Sequence, residues 1–340
     1  MTALGTRGKQ FLVVVGILIL VESGAYFFLK RTQRQFAPFI QLELFIKPSV
    51  QDLQSFGFDE IDPLLGWGMS TVHLQNIGFE VFNSMPVLKS RNNACSKKVK
   101  ILITGGSTSD IAMNNENWPT QLIPLLEKEG ICAELYIGAV GGYSSGQELL
   151  KLLCDGQGIS PDIHISYSGA NETTHPYFVS THEQNLFERM MKTETSAIFP
   201  NTVYIIRSTF FPSPKVFLRQ PRQSNPQWGT NMETMHAIAN EKGYAFIGVL
   251  QPVLGIGKVV QPQQEEQWKS MIDSYKKFYP EAILSIKDKP YLVNMTSLFD
   301  TIQRPVYVDD CHLLPEMQPL VATRMLGLVI EQMNKNDKQN

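Results

Sequence analysis

The chain has 340 residues, 43% of them hydrophobic and 18% charged, with a net charge of −2. That much apolar material supports a sizeable core and excludes a disordered chain, and the near-neutral balance excludes the basic face by which proteins hold nucleic acid. Four cysteines, Cys95, Cys132, Cys154 and Cys311, lack the close pairs of a zinc site and leave disulfide connectivity open.

Taken in chain order, residues 1–10 form an N-terminal tail and residues 11–29, FLVVVGILILVESGAYFFL, form an apolar run with Glu22 as its one charge. At about 1.5 Å per helical residue the run is long enough for a hydrocarbon core of about 30 Å, and no small-residue cleavage site closes it. The expectation is an uncleaved transmembrane helix and a single-pass membrane protein. Arg7 and Lys9 before the run nearly balance Lys30, Arg31 and Arg34 after it, so orientation is weakly coded; the domain is expected outside the cytoplasm. Residues 30–60 read as a partly helical stalk, residues 61–335 as one domain that opens on Asp62-Pro63-Leu64-Leu65-Gly66-Trp67-Gly68, and residues 336–340 as a tail.

Within the domain, short apolar runs alternate with helical segments. Strands are expected at 101–104, 133–137, 163–167, 203–207, 245–247 and 291–294, and helices at 118–128, 145–153, 232–241, 263–278 and 315–333, with Pro124 a potential break in the first. Helices between buried strands imply a three-layer α/β domain on a parallel sheet. The Pro-, Ser-, Gln- and Arg-rich stretch 210–229 follows a strand end and is expected to form a substrate-facing loop or lid.

The chemistry concentrates in four places. Ser107 lies in Gly105-Gly106-Ser107-Thr108-Ser109, directly after an apolar strand, where glycines allow a tight turn and leave room around the hydroxyl. Near the end of the chain comes Asp309-Asp310-Cys311-His312. A hydroxyl becomes a nucleophile when an imidazole takes its proton and a carboxylate orients the imidazole, and these segments supply all three groups. Two more turns at strand ends, Gly141-Gly142-Tyr143 and Gly169-Ala170-Asn171-Glu172, offer donors, so the Ser107 and Gly142 N–H groups with the Asn171 amide are candidates for an oxyanion hole. Asp309, Asp310 and His312 sit too close in the chain to wrap a metal ion, and no metal or cofactor is expected. Cys311 is expected to pack or pair. Of the remaining histidines, His175 is the one placed to contact substrate.

These four blocks together resemble the SGNH (GDSL-type) hydrolase family over roughly residues 62–333. The resemblance implies a flavodoxin-like α/β/α sandwich, with Ser107 as nucleophile, Gly142 and Asn171 as the signature glycine and asparagine, and Asp309 and His312 as the Asp-x-x-His pair. Gly106 stands where the GDS form has aspartate, Glu172 follows the asparagine in place of aspartate, and Ile137 stands where many relatives place asparagine. The implied activity is that of a membrane-anchored serine esterase acting through an acyl-enzyme on small acyl esters such as acetyl, on carbohydrate or a cell-envelope glycan. An O-acyltransferase using the same residues and a non-catalytic glycan-binding module are the alternatives.

Overall fold

The computed structural model describes Leu65 and residues 68–91, 95–173, 227–257 and 260–336, together with Gly16, Ile17, Leu20, Val21 and Ser23. Seven strands form one sheet: β1 (Glu80–Phe82), β2 (Met85–Lys89), β3 (Lys97–Gly105), β4 (Ile131–Ile137), β5 (Ile163–Ser168), β6 (Ala245–Leu250) and β7 (Leu292–Asn294). Their order across the sheet is β1-β2-β4-β3-β5-β6-β7. From β4 to β7 every neighbouring pair is parallel, while β1 and β2 form an antiparallel hairpin added at the β4 edge.

Continuous apolar runs mark the central strands because both faces of a parallel sheet are covered. Ile101, Leu102 and Ile103 of β3 are all buried, as are Ile163 and Ile165 of β5. On one face lie the helices α2 (Trp118–Lys128) and α7 (Gln318–Asn336), whose Leu122, Leu126, Val321 and Met325 join a core with Ile101 and Ile103. On the other lie α3 (Ser145–Cys154), α4 (Trp228–Lys242) and α6 (Lys269–Ile286), which bring Leu152, Met232 and Tyr275 against Leu102 and Phe246. The result is three layers. Two shorter helices are α1 (Thr71–Asn76) and α5 (Pro262–Gln267).

Several expectations needed revision. The hairpin turns at Asn83 and Ser84, both at positive φ (46° and 56°), a geometry that matches strand twist and that asparagine tolerates. The segment expected as one helix at 263–278 divides at Trp268, and α6 continues past Pro280 to Ile286. Helix α2 runs through Pro124, whose ring lies on the exposed face, where water can satisfy the carbonyl that loses its partner. The 315–333 helix begins as a 3₁₀ turn, Pro315–Met317, before α7. Trp228 and Gly229, placed in the 210–229 loop by sequence, open α4; the rest of that loop up to residue 226, the strand expected at 203–207, the 30–60 stalk, the 336–340 tail beyond Asn336, His175 and His182 lie outside the described residues.

The membrane expectation is corrected. Most of residues 11–29 lies outside the described residues, and among the described residues no helix is long and apolar enough to cross a membrane. The placement as a single-pass membrane protein with an extracytoplasmic domain is withdrawn.

Cys95 and Cys132 form a disulfide across a sequence separation of 37, with Cα atoms 5.5 Å apart. It joins the entries of β3 and β4, at the opposite ends of these strands from Gly105 and Ile137. Closing a loop of that length removes about 4 kcal/mol of freedom from the unfolded chain. Replacing both cysteines by serine is therefore expected to lower the unfolding free energy in denaturant titrations by about 3–4 kcal/mol and to leave turnover unchanged, because no residue of the site lies at that end of the sheet.

Candidate active site

In an open parallel sheet, ligands bind outside the carboxyl ends of strands, at the point where the chain reverses its direction of winding. Here that point is β3: the chain moves to β4 on one side, then crosses to β5 on the other. Paired residues Ile103↔Ile137 and Gly105↔Tyr167 bring the three strand ends level. The turns leaving these ends carry Ser107, Gly142 and Asn171.

Gly105, at φ +158°, has no room for a side chain, since a Cβ there would meet the Tyr167 carbonyl oxygen at 2.6 Å. The chain then turns tightly, with Ser109 N–H donating to Gly106 O and Asp110 N–H to Ser107 O. The His312 segment is held separately. Val308 N–H donates to His312 O and Leu314 N–H to Val306 O, forming a narrow loop whose tip is 309–312. Asp309 Oδ1 accepts from the backbone N–H groups of Cys311 (2.9 Å) and His312 (2.7 Å), which fixes its carboxylate beside the imidazole.

The three groups form one line. Asp309 Oδ2 lies 2.7 Å from His312 Nδ1, and His312 Nε2 lies 2.7 Å from Ser107 Oγ. An ionised carboxylate can only accept, so Nδ1 carries the proton and the Nε2 lone pair faces the serine O–H. Burial raises the Asp309 carboxyl, but hydrogen bonds from His312, its charge and the N–H of Cys311 outweigh this and hold it below the ordinary carboxylate value. Burial likewise pulls His312 down, and the hydrogen bond and charge of Asp309, with the charge of Asp310, outweigh it and leave the imidazole above its usual 6.5.

A histidine can take a proton only when neutral, so a reaction that uses His312 as its base is expected to show kcat/KM rising about tenfold per pH unit on the acid side, with a midpoint above 6.5, and then levelling off. A pH–rate profile checks this; a midpoint well below 6.5 would contradict the coupling to Asp309.

The Asn171 amide donates to Tyr143 O at 3.0 Å and lies over Gly106, where a Cβ would meet its nitrogen at 2.3 Å. Gly142, in the same turn as Tyr143, has φ +81°, a left-handed conformation that favours glycine. Glu172 follows Asn171 and accepts from the Ser145 N–H at the start of α3. Ile137 is buried in the core; with no side-chain amide there, the loops are tied by backbone bonds, Gly138 N–H to Ile103 O (2.7 Å) and Val140 N–H to Gly105 O (3.1 Å).

Sequence reasoning missed three supporting residues. Asn117 occupies the N-cap position of α2 but does not cap it; its amide donates to Ser107 O (2.9 Å) and Asp110 O (2.8 Å). Gln318, the first residue of α7, accepts from the Trp118 N–H instead and so links α7 to the serine loop through Asn117. Asp110 is buried with three backbone N–H donors around it. The signals available were an Asn-Trp-Pro helix start and an acid three residues after the serine; neither names its partner.

Cys311 packs in the core, with its Sγ 3.7 Å from His312 Nδ1. Asp309, Cys311 and His312 do place ligand-type atoms within 4.8 Å of one another, yet Asp309 and His312 already use those atoms on each other and on Ser107. His164 is buried on β5, its Nε2 3.0 Å from the Thr104 hydroxyl, and burial lowers it to about 3. His236 stacks on Tyr291, and Ser70 Oγ caps α1 by accepting from the His73 backbone N–H.

A hydroxyl, an imidazole and a carboxylate stand in one hydrogen-bonded line at the switch point of a parallel sheet, the groups that nucleophilic catalysis by serine requires. No family model matches it, and no curated protein matches it significantly. Among solved structures it is similar to the acetyl xylan esterase AlAXEase at 13% identity, covering 68% of this chain and 100% of that one, with a TM-score of 0.40. It is similar to the acetylxylan esterase Axe2 from Geobacillus stearothermophilus at 12% identity, over 67% of this chain and 92% of that one, TM-score 0.43. A GDSL-like lipase from Bacteroides thetaiotaomicron gives 12%, 68%, 88% and 0.39 in the same order.

Proposed function

We propose that this protein is a serine esterase that hydrolyses small acyl esters, acetyl esters of carbohydrate in particular, through an acyl-enzyme. In this reading Ser107 attacks the ester carbonyl as His312 takes its proton. Asp309 keeps His312 in the required tautomer, and the Ser107 N–H, the Gly142 N–H and the Asn171 amide receive the charge on the carbonyl oxygen. His312 then protonates the leaving alcohol, and water repeats the sequence to release the acid.

The observation that carries the proposal is the unbroken Asp309–His312–Ser107 line, with both contacts at 2.7 Å. The side chains of His312 and Asp309 remain 40% and 27% exposed, which supports a bulky alcohol portion such as a sugar held at the protein surface.

A fluorophosphonate probe tests the mechanism, and a substrate panel tests the specificity. Expected results are a single adduct on Ser107 by peptide mass spectrometry, and faster release of acetate from acetylated oligosaccharides than of long-chain acids from lipid esters. Absence of any adduct in the folded protein would sink the serine mechanism; preference for long acyl chains would sink the substrate class.

A further inference from the structure

Outside the Ser107–His312–Asp309 line, Asp110 is a buried carboxylate that touches two of the site's turns at once. It is 1% exposed. Its Oδ1 accepts from the N–H groups of Ala112 (2.9 Å) and Met113 (3.1 Å), closing the loop that follows the nucleophile. Its Oδ2 reaches 31 residues along the chain to the Gly141 N–H, at 2.9 Å. That N–H belongs to the turn Val140–Tyr143, which carries Gly142 and is closed by Tyr143 N–H to Val140 O. The turn is also tied by Val140 N–H to Gly105 O and, at Tyr143 O, by the Asn171 amide.

We propose that Asp110 is a positioning residue for the oxyanion hole: its carboxylate sets the distance between the Ser107 turn and the Gly142 turn, so that their N–H groups converge on one oxygen. The proposal rests on the esterase reading above. Convergence of this kind is what separates an oxyanion hole from two unrelated turns, because donors help the transition state only when fixed in advance at about 2.7–3.1 Å from the developing charge. A carboxylate suits the role because it accepts from both sides with separate oxygens. Burial raises this carboxyl to about 6 against the pull of its three N–H donors, so it is ionised at neutral pH and accepts with both oxygens there.

Asp110→Asn separates the two ties. The asparagine oxygen can still accept from Ala112 and Met113, while its NH₂ faces the Gly141 N–H, donor against donor. Steady-state kinetics on p-nitrophenyl acetate should show kcat about 100-fold lower with KM within about threefold, the size of effect that follows loss of one oxyanion donor. Amide exchange at Gly141 should quicken by at least about tenfold, a change independent of turnover. Asp110→Ser, whose short hydroxyl can serve the local turn but not Gly141, should behave alike.

A kcat within about threefold of wild type in a folded variant, beside an inert Ser107→Ala, would overturn the positioning role and leave the esterase reading standing. Equal inertness of wild type and Ser107→Ala would overturn both. Failure of both Asp110 variants to fold would also overturn it, by assigning the carboxylate to folding.

Discussion

Ser107→Ala is expected to lower kcat for ester hydrolysis by roughly 10⁴–10⁶-fold, and His312→Ala by a similar factor, with the thermal midpoint nearly unchanged. At about 1.36 kcal/mol per decade this is roughly 5–8 kcal/mol of transition-state stabilisation. The two residues act on one proton, so the double variant should fall little further than either single one. Asp309→Asn supplies a sharper test. Its oxygen can still accept from the N–H groups of Cys311 and His312, as Asp309 Oδ1 does now, so the loop keeps its shape. The new NH₂ in place of Oδ2 would face Nδ1 and force the imidazole proton onto Nε2, where it meets the serine hydroxyl with the wrong hand. A loss of about 10⁴-fold in kcat without a change in fold is expected. Turnover above a tenth of wild type in Ser107→Ala, measured with p-nitrophenyl acetate after removal of contaminating esterases, would show that the line of groups is not the reacting one.

Gly106→Ala is expected to cost about 10²–10³-fold in kcat, although it adds one methyl group and touches none of the three reacting side chains. The new Cβ would lie 2.3 Å from the Asn171 amide nitrogen and 3.4 Å from Tyr143 O, too close for the amide to stay where it is. Asn171 would have to swing away, breaking its bond to Tyr143 O and removing a proposed oxyanion donor. Gly146→Ala is the matched control: its Cβ would find its nearest neighbour at 3.8 Å inside α3, where alanine is well tolerated. The pair is compared by kcat and thermal midpoint. Equal activity of the two variants would remove Asn171 from the oxyanion hole. In this chain the space above the Gly106 Cα belongs to Asn171.

The central sheet was legible because Ile101-Leu102-Ile103 and Ile163-His164-Ile165 read as buried strands whatever their neighbours do. Strand β3 begins four residues earlier than read, at Lys97, because polar residues at a strand's start carry no apolar signal. The β1–β2 hairpin was missed because Pro86 argues against a strand and Asn83-Ser84 is a weaker turn signal than Asn-Gly. Ser107 and the Asp309–His312 segment could be singled out because each sits in a short local pattern. Asp110, Asn117 and Gln318 could not, since each acts on backbone groups 10 to 200 residues away and hydrogen bonds of that kind leave no spacing to read. The membrane reading fell on residues 11–29, most of which lie outside the described residues, and among the described residues no helix is long and apolar enough to cross a membrane.

The bond between His312 and Ser107 spans 205 residues, and the bonds tying Gln318 to Asn117 and Trp118 span 201 and 200. Contacts of such separation form late, because the entropy of closing so long a loop must be met before they contribute anything. During refolding the sheet can assemble around β3 and β5 while the imidazole is still unattached to its serine. Recovered catalysis is thus a clock for the last docking event, α7 and the histidine loop settling onto the serine turn, and it runs behind any spectroscopic measure of helix and strand.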